Sequence, residues 1–237
     1  EAAPPHHDRT LLCIHGAGGN SRHWAYQLSL AGELNIRIIA VDLPGHGRSE
    51  GRALTTIKEY SLFIQDLTRL LEIERVSLLG HSMGSAVALT VAAGNPALVE
   101  SLVLIGTCKQ FRVAPWLLDS LKKGERPVSF VEMAYHRQVD PRILTSAKEE
   151  FARIPVEVLL TDFLACQAFD FEHREPGLNV NCLLLFGEQD RLTPVQYVQS
   201  LAALLPNHRL TVIPKAGHMV MIEQPDATNQ AIYSFLS

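Results

Sequence analysis

No stretch of the chain stays apolar for the roughly 20 residues that a membrane-spanning helix needs. Basic residues are not clustered either. Lys and Arg number 21 against 25 Asp and Glu, for a formal net charge of −4. That balance excludes the basic footprint of a nucleic-acid binder. Cysteine is scarce: Cys13, Cys108, Cys166 and Cys182 stand far apart, without the short spacings of a zinc site or a disulfide framework. Cys13 and Cys182 fall inside apolar runs and read as small hydrophobes. There are 10 histidines, but no pair has helical ligand spacing with a supporting carboxylate, so no metal is expected. His6 and His7 lie in a Pro-rich tail and read as solvated. No basic, apolar and small-residue succession marks a signal peptide. A cytoplasmic protein is expected, with a removed leader left open because the sequence starts at Glu1 rather than Met.

What is present is a large apolar fraction, 47% of 237 residues, enough for one domain with a sizeable core. Six short runs, Thr10–His15, Arg37–Leu43, Val76–Gly80, Leu102–Gly106, Val180–Phe186 and Leu210–Pro214, are nearly continuously apolar. Such runs suit strands covered on both faces. Helical patterns alternate with them over Ile57–Leu71, Met83–Ala93, Val195–Leu205 and Pro225–Leu236. Alternation of this kind predicts an α/β fold, a mostly parallel central sheet with helices on both faces. Ligands then bind at the carboxyl ends of the strands. Residues 1–107 and 178–237 form this core. Residues 108–177 break the rhythm: the segment is helical in pattern, rich in aromatics and lacks strand signals. It reads as a helical lid inserted between two strands that are usually joined by a short connection.

Gly80-His81-Ser82-Met83-Gly84 follows an apolar strand and opens a helix. The G-x-S-x-G pattern in that context is a nucleophile elbow, with Ser82 on a sharp turn above the sheet. The Met83 N–H, at a helix amino terminus, is then aimed at a bound oxyanion. His218, in Ala216-Gly217-His218-Met219 after the last strand, is the candidate base, since a neutral imidazole can take the Ser82 proton. Asp190, past the strand ending at Phe186, is the candidate acid that orients His218. Alone it would read as a helix cap, and Glu188 is its rival. The chain order Ser82, Asp190, His218 is that of this elbow chemistry. His15-Gly16-Ala17-Gly18-Gly19-Asn20 follows the first strand, and its glycines let the backbone approach a substrate closely. The Ala17 N–H is the candidate second oxyanion donor. The loop has neither a Gly-Lys-Ser/Thr ending nor G-x-G-x-x-G, so it is not a phosphate loop. Asp42 to Ser49 reads as structural, with Asp42 and Arg48 pinning neighbouring loops and His46 outside the chemistry.

On these motifs the chain resembles the α/β-hydrolase superfamily, in particular its small lidded bacterial carboxylesterases. The resemblance spans nearly everything outside the lid. It implies a Ser82–Asp190–His218 triad, a backbone oxyanion hole at Ala17 and Met83, no cofactor, and a small-molecule ester as the substrate, with an apolar acyl or alcohol group. Gly16, Gly18, Trp24, Phe111, Trp116, Met133, Phe163, Leu192 and Met219 are the candidate contacts. Three departures stand out. Only nine residues precede Thr10, so the antiparallel hairpin usual in the family is expected to be absent, shortened or truncated. Met219 stands where carbon–carbon bond hydrolases often have Trp, and Ser85 where many relatives have Gly. Alternatives are a dedicated metabolic hydrolase (lactonase, methyl esterase or C–C bond hydrolase) or a slow-turnover ligand sensor. An acidic substrate calls for a cationic clamp, with Lys109, Arg112, His136, Arg137 and Arg174 as candidates.

Overall fold

The computed structural model describes residues 1–5, 7–171 and 178–237, so Arg174 lies outside the described residues. Strands β1 (Thr10–Ile14), β2 (Arg37–Val41), β3 (Val76–His81), β4 (Val99–Ile105), β5 (Asn181–Gly187) and β6 (His208–Ile213) form one sheet in the order β2-β1-β3-β4-β5-β6. Every pairing between them is parallel. The expected α/β architecture is what the chain adopts. Apolar side chains alternate between two cores. Leu12, Ile14, Leu78, Leu102 and Leu104 pack into one, and Leu11, Cys13, Leu79, Val103 and Ile105 into the other, as the period-2 geometry of strands requires. At the sheet edge, β6 leaves Leu210 and Val212 exposed.

Helices α1 (Leu30–Leu34), α2 (Ile57–Leu70), α3 (Met83–Gly94), α8 (Val198–Ala202), α9 (Val220–Glu223) and α10 (Pro225–Leu236) belong to the core. A capping box starts α2: the Thr56 side chain accepts from the Glu59 N–H while the Glu59 carboxylate returns to the Thr56 N–H. Apolar along almost its whole length, α3 is buried accordingly. The helix expected over Val195–Leu205 is shorter, a 3-10 turn at Val195–Tyr197 running into α8. Between β4 and β5 lie α4 (Pro115–Lys122), α5 (Val128–Ala134), α6 (Pro141–Arg153) and α7 (Val156–Ala168).

The chain passes from β1 outward to β2, then returns across β1 to β3. The connections that follow β1 and β3 therefore diverge, and the crevice between them is the switch point at which open α/β sheets bind ligands. The loop after β1 carries Gly16–Gly19, and the turn after β3 carries Ser82.

Candidate active site

Ser82 adopts φ 52° and ψ −116°, a region that costs a non-glycine residue about 1–3 kcal/mol and persists only where the surroundings impose it. Here they do. The Ser82 N–H donates to the Ile105 carbonyl at 2.8 Å, and its carbonyl accepts from the Ser85 N–H at 2.9 Å. A Cβ on Gly84 would stand 2.2 Å from the Ile14 carbonyl oxygen, and one on Gly80 would stand 2.4 Å from the Gly84 oxygen. These two positions need glycine because strand and helix backbones meet there. Ser85, the departure from the relatives' glycine, donates its hydroxyl to the carbonyls of Gly80 at 2.7 Å and Ile105 at 3.0 Å. It ties the elbow to β4.

His218 Nδ1 lies 2.8 Å from Asp190 Oδ2 in a buried pair. Asp190 is fully occupied. Its Oδ1 accepts the N–H groups of Leu192 and Thr193, and its Oδ2 also accepts the Thr193 hydroxyl. Burial works against the Asp190 charge, but His218 and these donors outweigh it and hold the carboxyl below the usual range. A carboxylate on Nδ1 fixes the proton there and leaves Nε2 as the acceptor. The rival carboxylate, Glu188, instead accepts the Lys215 N–H. The His218 loop is braced on three sides. Its N–H donates to Ala134 of α5 at 2.8 Å, and its carbonyl meets His81 Nε2 at 3.1 Å. Glu223 accepts the N–H groups on either side, Gly217 at 2.9 Å and Met219 at 3.2 Å. The other Glu223 oxygen accepts the His136 N–H at 2.6 Å.

Ser82 and His218 open onto one cavity of about 280 Å³, at the small end of ligand sites. Of the sequence candidates, Gly16, Ala17, Phe111, Trp116, Met133, Phe163, Leu192 and Met219 line it. Two do not. Trp24 is fully buried in the core cluster with Leu30 and Ile38, because the 3-10 turn Ser21–Trp24 turns it inward onto the sheet. Gly18 lies beside a smaller neighbouring pocket, with its N–H taken by Asp162. Among the described clamp candidates only Arg112 reaches the cavity. Lys109 faces Asp170, the His136 ring accepts the Gln138 N–H, and Arg137 lines a separate surface pocket beside Glu188. The sequence reading missed His23, Phe130, Cys166 and Arg191, which also line the cavity. None sits in a motif, although Arg191 is next to Asp190.

Asp42 does pin its neighbours, accepting the Ser21 N–H at 2.6 Å and the Arg48 N–H at 3.1 Å. The Arg48 side chain itself stays in solvent. His15 Nδ1 faces the Gly16 carbonyl at 2.8 Å and its Nε2 accepts the Leu43 N–H, so the ring is neutral, and burial lowers its pKa to about 3. All four cysteines are free thiols, buried in the fold. Among the described residues no group of three or more His, Cys, Asp and Glu could hold a metal, and no helix is long and apolar enough to cross a membrane.

The fold and this constellation define a hydrolase of the α/β class. The sequence model of the alpha/beta hydrolase family matches residues 11–231, and the chain belongs to that family. It is similar to a putative carbamate hydrolase, RutD, of Pseudomonas syringae pv. syringae, 28% identical over 96% of this chain and 93% of the relative. It is also similar to a dihydrolipoyllysine-residue acetyltransferase component of the acetoin cleaving system of Pseudomonas putida, at 29% identity over 95% of this chain but 63% of that protein. Among solved structures, a thermophilic esterase superposes with a TM-score of 0.83 at 32% identity, covering 97% of this chain and 90% of the esterase. The enol-lactonase of Burkholderia xenovorans shares the fold, with a TM-score of 0.89 at 22% identity over 99% of this chain and 94% of the lactonase.

Proposed function

We propose that the protein hydrolyses small carboxylic esters through an acyl-enzyme on Ser82. The observation that carries the reading is the buried 2.8 Å His218–Asp190 pair opening on the same largely apolar cavity as a strained Ser82. His218 Nε2 takes the proton as Ser82 Oγ attacks the ester carbonyl, and Asp190 stabilises the imidazolium. The Ala17 and Met83 N–H groups hold the oxyanion, each worth about 10²- to 10³-fold in turnover. The proton then passes to the leaving alcohol. Water, deprotonated by His218, attacks the acyl-enzyme and releases the acid. Residues 108–177 act as the lid, contributing Phe111, Trp116, Met133 and Phe163 to the cavity wall. The cavity volume favours short acyl groups.

The test is active-site labelling with a fluorophosphonate and turnover of p-nitrophenyl esters of short and medium chain. Labelling at Ser82 with burst kinetics supports the reading. Absence of both label and turnover on every ester refutes it. A second reading, an ester that carries a carboxylate, is favoured by Arg112. Arg112 lines the cavity and has no carboxylate partner among the described residues, although its guanidinium rests over the Tyr197 ring at 5.1 Å, beside a neighbouring pocket that both residues line. Matched neutral and carboxylate-bearing esters discriminate: equal kcat/KM for the two series removes this reading.

A further inference from the structure

Helix α7 is largely apolar, yet it turns one fully buried carboxylate, Asp162, toward the core. Burying an unpaired carboxylate is prohibitive, so its partners explain its presence. Asp162 accepts three hydrogen bonds of 2.8 Å from three separate segments. They are the Gly18 N–H in the loop after β1, His46 Nε2 in the loop after β2, and the Tyr60 hydroxyl of α2. The other nitrogen of His46, Nδ1, donates to the Pro44 carbonyl at 3.0 Å. With an acceptor on each nitrogen, the His46 ring holds both protons and balances the Asp162 charge.

The contact with Gly18 bears on the site. Gly18 sits at φ +63°, and a Cβ there would come 2.5 Å from Leu159 Cδ2 of α7, so the helix lies directly on this loop. The Gly19 N–H turns back to the Gly16 carbonyl at 3.0 Å. The Gly18 and Gly19 N–H groups are thus both engaged, while that of Ala17, between them and Gly16, has no protein acceptor among the described residues. The Gly18 N–H belongs to the peptide that joins Ala17 to Gly18. The Gly16 carbonyl, which takes the Gly19 N–H, shares a plane with the Ala17 N–H, so holding both peptides restrains the torsions of Ala17 on either side.

We propose that Asp162 is a positioning residue for the oxyanion loop. By holding the Gly18 N–H it sets the backbone of Ala17, so that the Ala17 N–H meets the charge developing on the carbonyl oxygen. This rests on the ester-hydrolase reading above. The same helix supplies Phe163 and Cys166 to the cavity wall, so α7 both contacts the substrate and supports transition-state stabilisation.

The experiment begins with the native enzyme, for which label and turnover establish the ester reading by themselves. Asp162→Asn places an amide against three donors. It is compared with native protein in kcat per fluorophosphonate-titrated site, in KM, and in affinity for a trifluoromethyl ketone and for its non-hydrating methyl ketone counterpart. A misaligned donor loses less than a deleted one, so kcat per site falls about 10- to 100-fold. KM stays within about threefold, and the trifluoromethyl ketone alone loses affinity, in step with kcat. A merely structural role lowers the number of titratable sites and leaves kcat per site unchanged. That result, or equal loss of affinity for both ketones, overturns the proposal. Should Asp162→Asn not fold, Asp162→Glu carries the test: it keeps the charge against His46 but moves the acceptor of the Gly18 N–H, and kcat per site within twofold of native overturns the proposal equally. A native protein that neither labels nor turns over esters refutes the ester reading instead.

Discussion

Replacing Glu223 separates the support of the His218 loop from its chemistry. The carboxylate receives three backbone N–H groups, from Gly217, Met219 and His136, and burial raises its pKa despite them. In Glu223→Gln the remaining oxygen still serves Gly217 and Met219, but the amide meets the His136 N–H donor to donor. A buried donor left unsatisfied costs about 1–3 kcal/mol. At 2–4 °C per kcal/mol for a chain of this size, Tm falls by about 2–12 °C. Glu223→Ala abandons all three donors. With partial exposure to water, the loss is about 3–6 kcal/mol, a large share of a typical stability of about 5–15 kcal/mol. Activity should fall as well, because both peptides flanking His218 lose their anchor, and a displacement of 1 Å in such a group costs up to about 100-fold. Differential scanning calorimetry with ester turnover per folded molecule reads both effects. An alanine variant with Tm within 2 °C of native and unchanged kcat would refute the reasoning.

Asp190→Asn is expected to leave the fold intact and lower kcat about 10³- to 10⁴-fold, because an amide does not hold the His218 tautomer; a loss under tenfold contradicts the role. Asp190 also sets an acid limit. Its folded pKa lies below the unfolded value of about 3.9, so its stabilisation is complete above that pH and disappears as pH falls through the folded value. Urea titrations of native and Asn variants should therefore converge at low pH. His46 has the opposite sign. Burial lowers its pKa, but Asp162 outweighs this and the net shift is upward, so its contribution is full below about pH 6.5 and is lost as pH rises through the folded value. The Tm gap between native protein and His46→Gln should be larger at pH 6 than at pH 9, and an equal gap contradicts the charged ring. Gly84→Ala should yield no folded enzyme, since its Cβ meets the Ile14 carbonyl at 2.2 Å; soluble, active protein on expression contradicts the close approach.

The strands and the loops that converge on the cavity are legible in the sequence because each is a local pattern. Val76–Gly80 is an apolar run that ends in glycine, and the turn chemistry around it needs only five adjacent residues. Even β6, with Leu210 and Val212 open to solvent, is strong enough in β-formers to read as a strand. Asp162 and Glu223 are not legible. Asp162 meets Gly18 across 144 positions of chain, and nothing about an aspartate in a helix announces the segments it will bind. Trp24 shows the converse. An aromatic near a glycine-rich loop resembles a pocket wall, but the direction of a 3-10 turn decides which side it faces, and that direction follows from packing against Leu30 and Ile38.

The buried thiols have a practical consequence for spectroscopy. Burial pushes all four upward, Cys108 to about 12, so almost no thiolate exists at neutral pH, and the thiolate is the reactive form. A single cysteine introduced on the exposed face of α6 would carry a maleimide dye against a silent background, with no native cysteine removed. The distance between that dye and a second label on the core could then be followed while an ester is turned over.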